Sequence, residues 1–236
     1  MFTFIVILNP KNIMAQAEIL VKKTKDIIIT GSGSAQNWNR TSWSELTEFS
    51  GLADNEVKRN LATKFKVLYS DDGIYFLFHC EDEKLSATMQ SNFMELWRED
   101  VVEVFLWSNE NELTYFEYEL SPLNYELPLL VTSYKNKQSH WVPFEFSYKE
   151  GRRTIHKTSV KGGKKESGAR ITEWTAEFFI PFELLRPMDN IFPVSGTKWR
   201  ANLYRIDYDR GVAHWGWQAI NENFHDYENF GIFIFE

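Results

Sequence analysis

Lys64-Phe65-Lys66-Val67-Leu68-Tyr69-Ser70-Asp71-Asp72-Gly73-Ile74-Tyr75-Phe76-Leu77-Phe78-His79 is two short aromatic and β-branched runs joined by a polar turn. Residues of these types suit a pleated, half-buried surface, and an Asp-Gly step supplies positive φ, so the stretch predicts a β-hairpin. Similar runs recur at 101–107, 114–121, 144–149, 154–160, 170–180, 198–206, 213–219 and 230–235. Many short strands separated by turn signals describe a sandwich or barrel. Helical patterning is scarce. Pro181-Phe182-Glu183-Leu184-Leu185 is long enough for one turn, with Pro at its first position and Pro187 stopping it, and residues 83–94 offer a second short helix or a structured loop. The predicted fold is all-β: an antiparallel two-sheet β-sandwich, jelly-roll or immunoglobulin-like, with one or two short helical turns.

The 236 residues suit one large domain, and 43% hydrophobic with 25% charged residues is the balance of an ordinary globular chain. The aromatic share, 16%, is high; nine Trp, ten Tyr and nineteen Phe supply rigid flat faces for strand packing and for ring stacking. A net charge of −7 argues against a nucleic-acid partner, which needs clustered Lys and Arg. The single cysteine, Cys80, excludes an internal disulfide and reads as a small buried hydrophobe. Residues 1–8 are apolar and Ala15-Gln16-Ala17 has a small-x-small pattern, but no basic segment precedes the run and Pro10 follows it. Residues 1–17 therefore read as an N-terminal strand or leader remnant, and 18–236 as the domain. No run approaches the ~18 apolar residues of a membrane span. Lys161-Gly162-Gly163-Lys164-Lys165 reads as an exposed hairpin tip.

Along 101–107 the side chains alternate, with Val102, Val104 and Leu106 on one face and Val101, Glu103, Phe105 and Trp107 on the other. Glu103 is the odd residue: a carboxylate among apolar neighbours needs a donor, either an arginine such as Arg200 or Arg205 or a ligand. The next strand sets Phe116, Tyr118 and Leu120 against Tyr115, Glu117, Glu119 and Ser121. One face is apolar and one polar, as expected of a sheet with a core side and a side open to water.

Leu96-Trp97-Arg98-Glu99-Asp100-Val101-Val102-Glu103-Val104-Phe105-Leu106 resembles the signature of the family 9 carbohydrate-binding modules: a Trp, an Asp three residues on and a Glu six residues on, opening a strand. The hairpin at 65–76 is similar to the family's first hairpin, and Trp174-Thr175-Ala176-Glu177-Phe178-Phe179-Ile180-Pro181 to its W-x-x-E-x-x-I-P strand. Residues 196–205 and the closing Phe230-Gly231-Ile232-Phe233-Ile234-Phe235 complete an ordered set covering roughly residues 18–236. The resemblance implies a domain holding a mono- or oligosaccharide, plant-type polysaccharide included, between two aromatic rings, with no catalysis and no required cofactor. It assigns Trp97 the first ring, Glu103 the carboxylate that accepts sugar hydroxyls, Phe224 the second ring and Asn221 the site amide. Glu119 and Ser121 stand where the family's best-studied type has Arg and Asn, so the polar half of the site differs. The resemblance also favours a periplasmic or extracellular location.

Weaker candidates are Tyr204, Arg205, Trp215 and Trp217; the last two read as one face of a strand that either extends a sugar platform or packs into the core. Glu81-Asp82-Glu83 and residues 207–209 are acidic enough to ligate structural calcium, a feature the resemblance also suggests. Rival readings are a glycosidase using Glu99, Asp100, Glu103 or Glu119, a haem-binding domain of the related DOMON type with His and Met ligands, and a structural or protein-interaction sandwich whose sugar site has decayed.

Overall fold

A computed structural model describes residues 16–134, 137–143 and 151–236. The strands are β1 (Glu18–Lys23), β2 (Ser44–Phe49), β3 (Thr63–Tyr69), β4 (Gly73–Glu81), β5 (Val101–Trp107), β6 (Thr114–Leu120), β7 (Glu126–Tyr134), β8 (Lys137–Pro143), β9 (Ile155–Lys161), β10 (Glu173–Pro181), β11 (Lys198–Asp207), β12 (Ala213–Gly216) and β13 (Gly231–Phe235). Hydrogen bonding follows the order β8-β7-β6-β5-β11-β12-β2-β3-β4-β10-β9. The path folds into two layers, β8 to β12 in one and β2 to β9 in the other, joined where β12 pairs with β2.

The hairpin forms as its pattern predicts, with Tyr69 opposite Ile74 and Phe65 opposite Phe78. Its glycine has a different role from the expected one. Gly73 does not adopt positive φ; a Cβ there would lie 2.4 Å from the Ile180 carbonyl oxygen and 2.4 Å from the Phe179 ring, so the close approach of β10 excludes any side chain.

Alternation places the core between the layers. Val102, Val104 and Leu106 of β5 and Phe116, Tyr118 and Leu120 of β6 face Phe76 and Phe78 of β4 and Phe178 of β10. The Tyr118 and Phe178 rings meet at 4.8 Å across the two layers, and Phe178 stacks on Phe76 at 5.3 Å. Each fully buried side chain of this kind stabilises the fold by roughly 1.5–3 kcal/mol. Glu177, central in the W-x-x-E-x-x-I-P strand, is buried and accepts hydrogen bonds from the Trp38 indole (2.8 Å) and the Thr30 and Gly31 amides (2.9 and 2.7 Å), which pins residues 27–38 to β10. Cys80 is buried, and burial pushes its thiol up to about 12.

The sheet is mixed, which corrects the expectation of an antiparallel sandwich. β1 runs parallel to both β13 and β3, with Glu18 opposite Ile232 and Lys22 opposite Leu68. Parallel neighbours need a long connection, and here almost the whole chain lies between β1 and β13. The helical content is 3₁₀ only among the described residues: Gln36–Arg40, Leu96–Arg98, Phe182–Leu185 and Tyr227–Asn229. Residues 83–94 form a structured loop. The 162–172 connection between β9 and β10 starts with the expected exposed glycine-lysine segment. The strand expected at 144–149 and the apolar run at 1–8 lie outside the described residues. No helix is long and apolar enough to cross a membrane among the described residues.

Candidate functional site

β5 and β6 lie side by side, with Glu103 opposite Glu119 and Phe105 opposite Glu117. The alternation that sends valines and leucines inward sends these residues to the far side of the sheet. The polar pattern predicts a side open to water; the structure covers it instead. Met89, Phe93 and Leu96 from one loop, and Ile220, Phe224 and Tyr227 from another, pack with Val101, Phe105, Tyr115 and Tyr204 into a second apolar cluster over it. Between the two loops a cleft of about 400 Å³ remains, with Trp97, Trp141, Tyr208, Phe224 and His225 around it and Glu103 and Glu117 on its floor.

The Trp97 side of the cleft is fixed by its own motif. Leu96 is fully buried and anchors the 3₁₀ turn. Glu99 accepts hydrogen bonds from the Thr88 and Met89 amides (2.6 and 2.9 Å), and Asp100 from the Ser86 and Tyr208 amides (2.5 and 2.8 Å). The Tyr208 hydroxyl then donates to the Trp97 carbonyl at 2.9 Å. The acidic residues between Trp97 and Glu103 thus tie three segments together, and the half-buried indole projects into the cleft, its edge meeting Trp141 at 5.5 Å. Opposite, Phe224 stacks on the buried Tyr204 ring at 4.1 Å and 6°, and the Tyr204 hydroxyl donates to the Phe224 carbonyl at 2.9 Å. Stacking of this geometry adds about 0.5–1.5 kcal/mol beyond burial, which holds the Phe224 ring in one orientation.

The floor is acidic. Glu103, Glu117 and Glu119 are all at least nine-tenths buried, and neither arginine reaches them. Arg200 is spent on the Phe230 and Glu228 carbonyls and on Glu110, and Arg205 points to the opposite face. Among the described residues no lysine or arginine lines the cleft. Burial pushes Glu117 up to about 8 and raises Glu103 and Glu119 well above the usual carboxylate range, with the neighbouring carboxyls adding to the rise at Glu103 and Glu119. Glu117 and Glu119 interact through their carboxyls, and no cation pairs with either of them. The nearest base, His225, sits 3.9 Å from Glu117 and contacts the Tyr115 hydroxyl through Nδ1 at 2.5 Å; burial lowers its pKa to about 4, so the ring is neutral at physiological pH.

Of the residues singled out from the sequence, Trp97, Glu103 and Phe224 meet around this cleft. Glu119 lies beside Glu103 on the same face, and Tyr204 backs Phe224. The others lie elsewhere. The Asn221 amide is turned onto Asp226 at 3.0 Å, and Asn223 lines the cleft in its place. Ser121 is buried in the β6–β7 turn, where its hydroxyl accepts from the Tyr125 amide. Trp215 is buried between the layers with Arg205 against its face at 4.6 Å, and Trp217 packs on Phe65 and Phe233, so both are core residues. Glu117, Tyr208 and His225 complete the cleft without having been singled out for it.

The acidic loops behave differently from one another. Asp82, Asp207 and Asp209 come together within 4.8 Å, whereas Glu81 accepts from the Ala62 amide and Glu83 pairs with Arg210. Arg205 lies 3.1 Å from Asp82 and 2.9 Å from Asp207, and Arg59 3.1 Å from Asp207. Calcium takes ~6–8 oxygen ligands and no competing cation, so a donor set already covered by two guanidinium groups does not fit that ion. Four histidines are likewise engaged: His79 with Glu173, His156 with Glu126, His214 with Glu56 and His225 with Tyr115.

A two-layer β domain whose one sheet carries an aromatic-walled cleft between covering loops defines a ligand-binding β-sandwich. The chain belongs to the carbohydrate family 9 binding domain-like family, whose model matches residues 29–236. An extracellular protein of Arthroderma benhamiae is 25% identical over 148 residues, 61% of this chain, and the match spans 62% of that relative's length. Two solved structures share the fold. A candidate carbohydrate-binding protein of Bacteroides uniformis superposes with a TM-score of 0.74 at 17% identity, over 94% of this chain and 100% of that one. A carbohydrate-binding module of family 9 from Caldicellulosiruptor kristjanssonii, in complex with cellotriose, superposes with a TM-score of 0.63 at 17% identity, over 93% and 94%.

Proposed function

We propose that this domain binds a saccharide without transforming it, with Trp97 and Phe224 as the aromatic walls and Glu103 as a carboxyl acceptor for ring hydroxyls. The observation that carries the reading is the meeting of these three residues, distant in sequence, around one cleft. A sugar ring has apolar C–H faces and hydroxyl edges, and flat walls over a polar floor satisfy both. Stacking is worth ~1–3 kcal/mol by analogy with nucleobases, and a hydrogen bond to a neutral carboxyl ~0.5–1.5. Discounted for ordering, these give an affinity in the micromolar to millimolar range.

The placement of the carboxyls supports the non-catalytic reading. Glycoside hydrolysis uses two carboxyls that flank the scissile bond; Glu103 and Glu117 share one floor on adjacent strands, and Glu99 and Asp100 are spent on backbone amides. The extracellular relative and the family support a location outside the cytoplasm. Saccharide titration followed by Trp fluorescence tests the reading: a saturable change is expected, and its survival in Trp97→Ala would remove the proposed site.

A further inference from the structure

The floor of the cleft holds more acid than a neutral sugar requires. Glu103, Glu117 and Glu119 occupy neighbouring positions on β5 and β6, and the cleft presents no Lys or Arg to them among the described residues. Glu117 borders the cleft, is 5% exposed, and has its carboxyl partnered by that of Glu119 rather than by a cation. A buried carboxyl that has another carboxyl for its partner, at the edge of a cavity, carries a desolvation cost that a ligand donor offsets. Hydroxyl groups donate one hydrogen bond each and bring no charge; an ammonium group brings three donors and the missing positive charge.

We propose that the cleft takes an amino sugar of glucosamine type, bound with its protonated amine against Glu117 while its ring lies between Trp97 and Phe224. The proposal rests on the sugar-binding reading above and narrows it to a cationic glycan. Glu103 lines the same cleft and adds its carboxyl to that of Glu117, and the neutral His225 offers no competition for the ammonium. Carboxyls held protonated by burial ionise when the ammonium arrives, so the proton on Glu117 passes to the buffer as the ligand binds.

The test is calorimetric titration of the full chain with three probes at a pH where the free amine is protonated: a glucosamine trimer, its N-acetylated counterpart and cellotriose. The amino trimer is expected to bind about tenfold or more tightly than either neutral probe, the gap between a charge-assisted and a neutral hydrogen bond. Its binding heat is expected to change with the ionisation enthalpy of the buffer, as proton release requires. In Glu117→Gln the preference and the proton release are expected to disappear together. Equal or tighter binding of a neutral probe by the unmodified protein overturns the ammonium assignment and leaves saccharide binding standing. No heat from any of the three overturns both.

Discussion

Glu103 and Glu119 sit directly opposite each other on neighbouring strands, both buried and both pushed by burial and by neighbouring carboxyls toward the neutral form. Two like charges in that relationship would destabilise the sheet. The pair survives because burial keeps the carboxyls neutral, and this makes the fold sensitive to pH.

The sign follows from Glu117 and His225, the acid and the base that face each other beside this pair. Glu117 rises from an ordinary 4.5 to about 8, so the folded chain keeps a proton that the unfolded chain releases, and stability is lost as pH climbs between those values. His225 falls from 6.5 to about 4, so stability is lost as pH drops through that range. The two oppose each other between pH 4.5 and 6.5. Above 6.5 His225 no longer offsets Glu117, and denaturation midpoints are expected to fall toward pH 8, by about 1 kcal/mol per pH unit for each proton. Glu117→Gln is expected to flatten the slope; midpoints that rise over this interval would contradict the assignment.

Removing the second wall is expected to weaken saccharide binding without unfolding the chain. Phe224→Ala deletes a stacked ring worth ~1–3 kcal/mol, a loss of roughly tenfold to a hundredfold in affinity. Titration beside a near-ultraviolet circular dichroism spectrum separates loss of the wall from loss of the fold.

Asp100 holds the loop that presents Trp97. Asp100→Ala leaves the Ser86 and Tyr208 amides without their acceptor, at ~1–3 kcal/mol for each buried donor. Lower thermal stability and weaker binding are expected together, and hydrogen exchange is expected to quicken in residues 86–98 ahead of the β4–β10 pairing. Uniform quickening across the domain would show that the loop is not separately held.

The Asp82, Asp207 and Asp209 cluster is expected to ignore calcium. Melting with excess Ca²⁺ and with chelator is expected to give the same midpoint, whereas Arg205→Met, which strips the buried cation from Asp82 and Asp207, is expected to cost about 3–5 kcal/mol. A midpoint that climbs with calcium would restore the metal.

Gly73→Ala tests the close approach in the first hairpin. A Cβ at 2.4 Å from the Ile180 carbonyl oxygen forces β10 to move, for which overpacking costs of about 1–3 kcal/mol are typical. Urea denaturation reads it directly, and an unchanged midpoint would mean the turn relaxes freely.

The sequence is most legible where alternation and residue type agree. β3, β4, β5 and β6 carry aromatic or β-branched residues at most core positions, and alternation alone assigns their faces. β2 (Ser44–Phe49) alternates with Glu45 and Glu48, and β7 contains Pro128, so neither has a clean strand pattern. β1 pairs in parallel across nearly the whole chain, a contact that local periodicity does not encode. In the site, Trp97 and Glu103 are legible through the spacing of one short motif. Glu117 is not, since a glutamate on a polar strand face has the same signature whether water or a covering loop lies above it. Asn221 and Asn223 are two apart on a loop, and only its course decides which of them reaches the cleft.

β1 is hydrogen-bonded to β13 as well as to β3. A chain emerging from the ribosome therefore cannot complete this domain until β13 is released, because a strand made early waits for one made more than two hundred residues later. Closure of the sheet is thus a late event in synthesis, and a nascent chain lacking β13 keeps an unpaired edge on β1.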